Sequence, residues 1–350
     1  MLLKVASRAR PAVLAALAVA LSGCIDDPVT HEDQNLLVSE LELIWRTFDQ
    51  EYVGFSLADP DWDRCWSQAS SSMDTVITAR GLGNVIWQML EPLQDPSVSL
   101  QGYAHNEWLT ESAYPYTETN PANYDSALMQ QYLLEYDYQQ MQPSWGYCML
   151  ADSTVPLFVV TNWSGFGWGF FDEHFYPLLD SPGMIVDIRD APNVPWSMGT
   201  AAMPKLMANR FADELRPGFF RCRRDGPGRH DLTAPHACLL HPRQGFTGPT
   251  LVLIGPQNNH VSERFASMMG SLPHSQLAGD TTAGRTDGST AWATGNGTVT
   301  VPDTAILAWD STRIQRAGVA PDIRIPADSE DFVAGVDPVL DYAIDWAESL

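Results

Sequence analysis

Short apolar runs that alternate with helical patterns restrict the fold of this chain more than any other feature. Residues 155–163 (VPLFVVTNW), 183–188 (GMIVDI) and 249–254 (PTLVLI) are apolar, have the length of strands and are bounded by turn residues, as buried strands often are. Helical patterns occupy residues 199–215 and 261–269. Buried strands that alternate with helices predict an α/β core.

A helical segment precedes this core. Apolar residues at spacings of three and four predict one buried helix face; they are Leu37, Leu41, Ile44, Trp45 and Phe48. We therefore expect an N-terminal helical part at residues 37–100 and an α/β core at residues 101–350. Asp337 and Pro338 form an N-cap followed by proline at the first helical position, which predicts a final helix that runs to Leu350.

The first 23 residues have the organisation of an export signal. Three basic residues precede an apolar run at 12–21 that is too short to anchor stably across a bilayer. Residues 21–24 (LSGC) resemble a bacterial lipobox, which implies cleavage before Cys24 and a lipid on its thiol. We expect residues 24–36 to be a polar linker and the protein to be lipid-anchored in the cell envelope, outside the cytoplasm. An ordinary secretory signal is the alternative.

Composition excludes several kinds of partner. The formal net charge is -23, and removal of the basic leader makes the mature chain more acidic still. Such a charge argues against nucleic acid or anionic lipid as a partner. The histidines and the cysteine at residues 230–241 match no standard zinc spacing. We therefore expect no metal and no cofactor.

Four cysteines remain if Cys24 is lipidated. They are Cys65, Cys148, Cys222 and Cys238, and an even number in an oxidising compartment permits two disulfides. Cys222 and Cys238 flank one turn-rich segment, so we expect this pair to be bonded. Buried free thiols are the alternative.

A strand that runs into a helix start is the most informative local pattern. The apolar run at 249–254 is followed by GPQNN at 255–259 and then by a helix that starts near His260. A helix start supplies free N–H groups and a positive dipole end, and serine hydrolases hold an oxyanion with this geometry. A plain strand-to-helix connection has the same pattern, so the segment alone does not assign a function.

Six segments, taken together, resemble the tail-specific, or C-terminal processing, serine peptidases, the family that includes the tricorn core. They occur in the family's order and span most of residues 41–326. The segments are IWRTFDQEYVGF with DPDWD, LEPLQDPSVSL, GMIVDIRDAPN, HVSERFASMM, LAGDTTAGRTDG and RAGVAPDIRIP. The second is similar to the family's Leu-x-Asp-Gly-His-x-x-Leu segment, and the fourth to the Ser-x-x-Glu helix start that carries the nucleophile. The resemblance implies a peptidase fold and an extended peptide or protein segment as partner.

The chain departs from the family at the positions that carry catalysis. His260 occupies the nucleophile position, three residues before Glu263. Arg285 occupies the base position of the Ser-Lys branch, and an arginine stays protonated and cannot act as a general base. In the Ser-His branch, Ser97 stands at the histidine position and Gln315 at the position of the orienting glutamate.

The segment that would bind substrate also differs. The family's Gly-Gly pair, which helps to form the oxyanion hole, is Asn193-Val194 in this chain. By the resemblance we expect Arg189, Asn193 and Ser262 to contact the substrate.

These departures predict a degenerate peptidase that binds peptides or has a structural role. The alternative is an active peptidase in which Ser97 is the nucleophile and His260 its base, because each residue occupies the other's family position. Two arguments oppose this exchange. An oxyanion hole built around position 260 would be displaced from an attack launched at position 97, and a helix N-terminus disfavours the imidazolium that a base must become. Ser99 and Ser262 are weaker hydroxyl candidates.

Overall fold

The computed structural model describes residues 31–95, 97–103, 105–108, 123–165, 167–191, 198–286 and 288–350. The predicted signal peptide, Cys24 and Asn193 lie outside these ranges. Within them, no helix combines the length and the apolar character that a membrane crossing requires.

Helices occur along the whole described chain, from residue 31 to residue 348. In chain order they are α1 (His31–Glu51), α2 (Phe55–Ala58), α3 (Trp62–Ser72), α4 (Ala79–Leu90), α5 (Ser126–Glu135), α6 (Trp168–Phe175), α7 (Met198–Ala208), α8 (His260–Gly270), α9 (Ser329–Val333) and α10 (Pro338–Glu348).

The strands alternate with these helices from residue 99 onward. They are β1 (Ser99–Gly102), β2 (His105–Trp108), β3 (Gln139–Gln142), β4 (Trp145–Leu150), β5 (Val155–Val160), β6 (Met184–Asp187), β7 (Arg216–Arg223), β8 (His236–Leu240), β9 (Thr250–Ile254), β10 (Ser275–Gly279), β11 (Gly288–Ala293), β12 (Gly297–Ala308) and β13 (Ile323–Arg324).

The N-terminal helical part has the predicted helices with well-defined caps. The Asp61 carboxylate accepts a hydrogen bond from the Arg64 N–H at the start of α3, and Thr78 Oγ1 accepts one from the Gly81 N–H at the start of α4. Helix α1 begins at His31, so it includes part of the segment that the sequence assigned to a linker. The predicted apolar face packs against α3, α4 and β12.

Two sheets form the α/β core and confirm the predicted fold class. One has seven strands in the order β13-β10-β9-β6-β5-β4-β3, parallel from β13 to β5 and antiparallel beyond. The other is antiparallel in the order β2-β1-β12-β7-β8, with β11 also paired to β12. The predicted helix at 199–215 ends at Ala208.

Helix α8 lies between the two sheets. It contacts β7 and β12 of one sheet and β9 and β10 of the other, and each residue from Val261 to Met269 is buried. Phe265 packs there among apolar side chains of both sheets, including Val252 and Ile306. The position of the first residue of α8 is therefore fixed by the core.

The expected disulfide between Cys222 and Cys238 is absent, and the prediction was wrong. Neither residue is in a disulfide, and neither Cys65 nor Cys148 is. Cys238 lies opposite Phe219 in the β7–β8 ladder, whereas Cys222 lies three residues farther along β7. Side chains alternate between the two faces of a sheet, so the two thiols point to opposite faces. The turn-rich connection does join two paired strands, but in their register Cys222 and Cys238 do not face each other.

Candidate active site

The turn between β9 and α8 is held by Asn258, which is fully buried. Its side-chain oxygen accepts a hydrogen bond from the Gly255 N–H at 2.9 Å, and its side-chain nitrogen donates one to the Ile188 carbonyl at 2.5 Å. The turn is thereby attached to the carboxyl end of the neighbouring strand β6. Ligands of open α/β sheets bind at these carboxyl ends, so the turn places the start of α8 where a site is expected.

His260 is the first residue of α8 and has a left-handed backbone conformation, with φ of 42°. Non-glycine residues rarely adopt positive φ, and such strained residues cluster at functional sites. A strand, a sharp turn with strained geometry and a helix are also the context of the nucleophile in many hydrolases. The backbone of position 260 thus keeps the geometry of a nucleophile turn, although its side chain is an imidazole.

Glu263 holds the loop that faces His260. Its carboxylate is buried and accepts hydrogen bonds from Thr282 Oγ1 at 2.8 Å, from the Gly284 N–H at 2.5 Å and from the Arg285 N–H at 2.9 Å. The Arg285 carbonyl in turn accepts a hydrogen bond from the His260 N–H at 3.0 Å. Burial raises the pKa of Glu263 to about 7. Glu263 therefore positions Arg285 beside His260.

Electrostatics keep His260 neutral. The residue is partly exposed, but protein surrounds most of its ring, and this burial together with the charges of Arg264 and Arg285 lowers its pKa to about 4. A general base works best when its pKa lies near the working pH. A histidine that is so hard to protonate is a poor acceptor for a hydroxyl proton.

The side chains of Ser97 and Gln315 are hydrogen-bonded to each other. Gln315 Nε2 donates hydrogen bonds to Ser97 Oγ at 3.3 Å and to Asp95 Oδ1 at 3.0 Å. Gln315 Oε1 accepts one from the Thr286 N–H at 3.0 Å, and Asp95 Oδ2 accepts one from Tyr52 Oη at 2.9 Å. These side chains, which are far apart in sequence, form one buried polar network.

The structure does not join Ser97 to His260. Among the described residues, no hydrogen bond links Ser97 Oγ to the His260 ring, and Ser97 is only 3% exposed. Its hydroxyl is in contact with the Gln315 amide, which cannot accept a proton at neutral pH. The exchanged pair is therefore not assembled in this structure.

Arg189 belongs to a buried ion cluster. Its guanidinium is fully buried and lies 2.9 Å from both Asp187 and Asp337, and it also donates to the Asn123 carbonyl. The Asp337 carboxylate also caps α10 by accepting the Val339 N–H. Arg189 thus links strand β6 to the last helix. This environment is structural, and the expected contact of Arg189 with substrate stays a prediction.

Ser262 also has a structural environment. It is fully buried, donates a hydrogen bond to the Ala191 carbonyl at 2.8 Å and accepts one from Trp163 Nε1 at 2.8 Å. These bonds position the chain beyond β6 against α8, and they leave no surface for a ligand. The third expected contact, Asn193, lies outside the described residues.

A cavity of about 240 Å³ lies near the carboxyl ends of β5 and β6. Tyr124, Thr161 and Asp190 contribute polar walls, and Met129 and Leu133 contribute an apolar side. Burial raises the pKa of Asp190. With this volume the cavity is smaller than most small-molecule sites.

Sequence reasoning did not single out Asp95 or Thr286, although both connect the site. Asp95 is the aspartate of the LEPLQDPSVSL segment, so the segment match held a signal for it. Thr286 follows Arg285, and its Oγ1 donates to the His260 carbonyl at 2.9 Å. Thr286 lies in the matched LAGDTTAGRTDG segment, but its contact with His260 depends on the loop that Glu263 holds.

Comparison with known proteins shows which family model and which solved structures this chain is similar to. Residues 205–325 match the family model of peptidase family S41, whereas no curated protein sequence matches the chain. A solved structure of a candidate peptidase from Parabacteroides merdae is 23% identical, with a TM-score of 0.75, 90% of this chain covered and 96% of that one.

Two more distant solved structures have the same fold. Mature CPAF is 10% identical, with a TM-score of 0.63 and with 90% of this chain and 97% of that one covered. The photosystem II D1 C-terminal processing protease is 15% identical, with a TM-score of 0.58 and with 89% and 98% covered. The chain thus matches the peptidase family S41 model over residues 205–325 and shares its fold with these solved structures over about nine-tenths of its length.

Proposed function

We propose that this protein is a lipid-anchored protein of the cell envelope whose S41 peptidase-like domain binds extended peptide segments without cleaving them. Two parts of the proposal rest on different observations. The lipid anchor rests on the lipobox-like LSGC sequence after a charged and then apolar leader. The loss of cleavage rests on the side chains at the catalytic positions.

The contact between Gln315 and Ser97 carries the proposal. In the Ser-His branch of the family these positions hold the orienting glutamate and the histidine, and here they hold an amide and a hydroxyl 3.3 Å apart. The geometry of the pair persists, but neither group can accept a proton at neutral pH. The family's nucleophile position is substituted as well, because it holds His260.

Peptide is the ligand class that the fold favours. One structural neighbour is a C-terminal processing protease, a kind of enzyme that acts on peptide chains. The site here lies at the carboxyl ends of parallel strands, and a cavity of about 240 Å³ lies nearby. Loss of catalytic groups does not remove these features, because they are built from the backbone and from core packing.

The test measures binding and turnover on the same sample. The mature domain without its leader is mixed with N-terminally fluorescein-labelled, unstructured decapeptides. Fluorescence anisotropy reports binding, and mass spectrometry reports whether the peptides remain intact. We expect saturable binding and intact peptides after long incubation.

Variants separate the proposal from the exchanged-pair alternative. Cleavage by the wild type that disappears in both Ser97→Ala and His260→Ala would overturn the proposal and establish an active Ser97/His260 pair. Peptides that neither bind nor are cleaved would refute peptide binding itself.

A further inference from the structure

Strand β11 begins two residues after Thr286, which hydrogen-bonds to His260. It pairs with β12 along one edge, and in the described part of the chain no strand pairs with its other edge. A free strand edge therefore leads directly away from the candidate site.

This edge lacks the features that normally protect a sheet. Five of its six residues are exposed, from Ser289 to Ala293, and its sequence, GSTAWA, contains no charged residue and no proline. Natural proteins usually block exposed edges with charges, prolines or covering elements, because unpaired N–H and C=O groups recruit other strands. Trp292 is 40% exposed and adds an aromatic surface beside this edge.

The pairing register shows which backbone groups face outward. The Thr294 N–H donates to the Gly297 carbonyl at the turn, so the next pair, Ala293 and Thr298, is not hydrogen-bonded. Bonded and non-bonded pairs alternate in antiparallel strands. Hence Ser289, Ala291 and Ala293 direct their N–H and C=O groups away from β12. The pairing of Ser289 with Pro302, which has no N–H, agrees with this register.

The hairpin that presents this edge is anchored at its tip. The Glu40 carboxylate of α1 accepts hydrogen bonds from the Asn296 N–H at 2.9 Å and from Asn296 Nδ2 at 2.6 Å. Tyr103 also donates to Glu40. An edge held at both ends, by the site and by this tip, loses little conformational freedom when a further strand is added.

A cation lies at the start of this edge. The Arg285 carbonyl accepts a hydrogen bond from the His260 N–H at 3.0 Å, so Arg285 lies beside His260, three residues before β11 begins. Within the described part of the chain, no ion pair involves its guanidinium. The N-terminal end of α8 adds its positive dipole end to the same place. A carboxylate at that position would be complementary in charge to both.

We propose that the free edge of β11 binds an extended peptide as an additional antiparallel strand, with the C-terminal carboxylate of the peptide at Arg285. The direction follows from the geometry, because β11 runs away from Arg285 and a peptide that ends there runs toward it. Strand addition of this kind obtains affinity from main-chain hydrogen bonds. The inference rests on the peptide binding proposed above and adds the binding mode and the required chain end.

The experiment uses the mature domain and two fluorescein-labelled pools of random decapeptides. One pool carries free C-terminal carboxylates, and the other has the same composition but amidated C-termini. Ala291→Pro removes one outward N–H, whereas Ala291→Val keeps it and serves as the matched control. Because a backbone hydrogen bond contributes modestly to binding, we expect Ala291→Pro to weaken binding of the carboxylate pool roughly 3- to 10-fold and Ala291→Val to leave it nearly unchanged.

The carboxylate contact has its own pair of variants. Arg285→Gln should remove most of the preference for the carboxylate pool over the amidated pool, and Arg285→Lys should retain part of it. Circular dichroism verifies that each variant is folded. Ala293→Pro, at the next outward position, replaces Ala291→Pro if the latter does not fold.

The outcomes separate this inference from the function on which it rests. If Ala291→Pro and Ala291→Val both bind the carboxylate pool with the affinity of the wild type, strand addition is overturned. Peptide binding itself would still hold in that case. Equal affinity of the wild type for both pools would overturn the carboxylate contact. Sedimentation that detects a dimer broken by Ala291→Pro would mean that a second copy occupies the edge, which also overturns the proposal.

Discussion

Gln315 Nε2 donates a hydrogen bond to Ser97 Oγ across 3.3 Å, although 218 residues separate the two positions. In the Ser-His branch of the family that this sequence resembles, these positions hold a carboxylate and an imidazole. In this chain the fold brings an amide and a hydroxyl together at the same two positions. Packing and backbone hydrogen bonds, which do not depend on the catalytic groups, maintain this arrangement.

Arg189→Met should strongly destabilise the core. The substitution leaves Asp187 and Asp337 buried without their cation, and loss of one partner of a buried ion cluster typically costs about 3–5 kcal/mol. Urea denaturation measures the free energy of unfolding. The exposed pair of Arg46 and Glu42 supplies the control, since Arg46→Ala should change stability by about 0.5 kcal/mol or less. Similar small effects of both variants would refute the structural role of Arg189.

Glu263 should make stability depend on pH. Burial raises its pKa from the ordinary 4.5 to about 7, so the native state keeps a proton that the unfolded state releases between these values. The free energy of unfolding should therefore fall as pH rises through this window. Glu263→Gln removes this titration. Between about pH 5 and about pH 8, the free energy of unfolding of the wild type should fall by up to roughly 3 kcal/mol more than that of the variant. Parallel pH profiles of the two proteins would contradict the prediction.

The four cysteines of the mature domain after Cys24 should all be thiols. Alkylation in guanidinium, without a reducing agent, should modify Cys65, Cys148, Cys222 and Cys238. In the native protein Cys238 should react first, because the other three are buried and burial raises the pKa of Cys148 to about 12. Peptide mapping that recovers a disulfide between any two of them would contradict this arrangement.

Cys24 should carry the lipid. Metabolic labelling with a fatty-acid analogue should mark the full chain and should not mark Cys24→Ala, because the lipobox-like cysteine is the expected acceptor. Cys238→Ala serves as the matched control and should remain labelled. Equal labelling of the wild type and Cys24→Ala would refute the lipoprotein proposal.

The sequence predicted the parts of the fold that depend on local patterns. The apolar run at 249–254 became the buried strand β9, and the Asp337-Pro338 signal became the start of α10. The register between paired strands is not determined by such local patterns. The Cys222–Cys238 expectation failed because the sequence shows the turn-rich connection but not which residues face each other across it.

The same distinction applies to the site. The family resemblance predicted that His260, Ser97 and Gln315 belong to one site; in the structure Ser97 lies beside Gln315. Burial could not be predicted for Arg189 or Ser262, because their partners come from other segments. The sequence therefore predicted the positions of the site better than the roles of its side chains.

Reaction of Ser97 with a fluorophosphonate would reveal whether this serine is an active nucleophile, because such probes modify serines that a neighbouring base activates. The folded mature domain is incubated with the probe beside chymotrypsin as a positive control, and intact mass and peptide mapping locate any adduct. We predict no adduct on Ser97, since its hydroxyl contacts the Gln315 amide and is 3% exposed. An adduct on Ser97 in the wild type that is lost in His260→Ala would contradict the account and show an active serine peptidase.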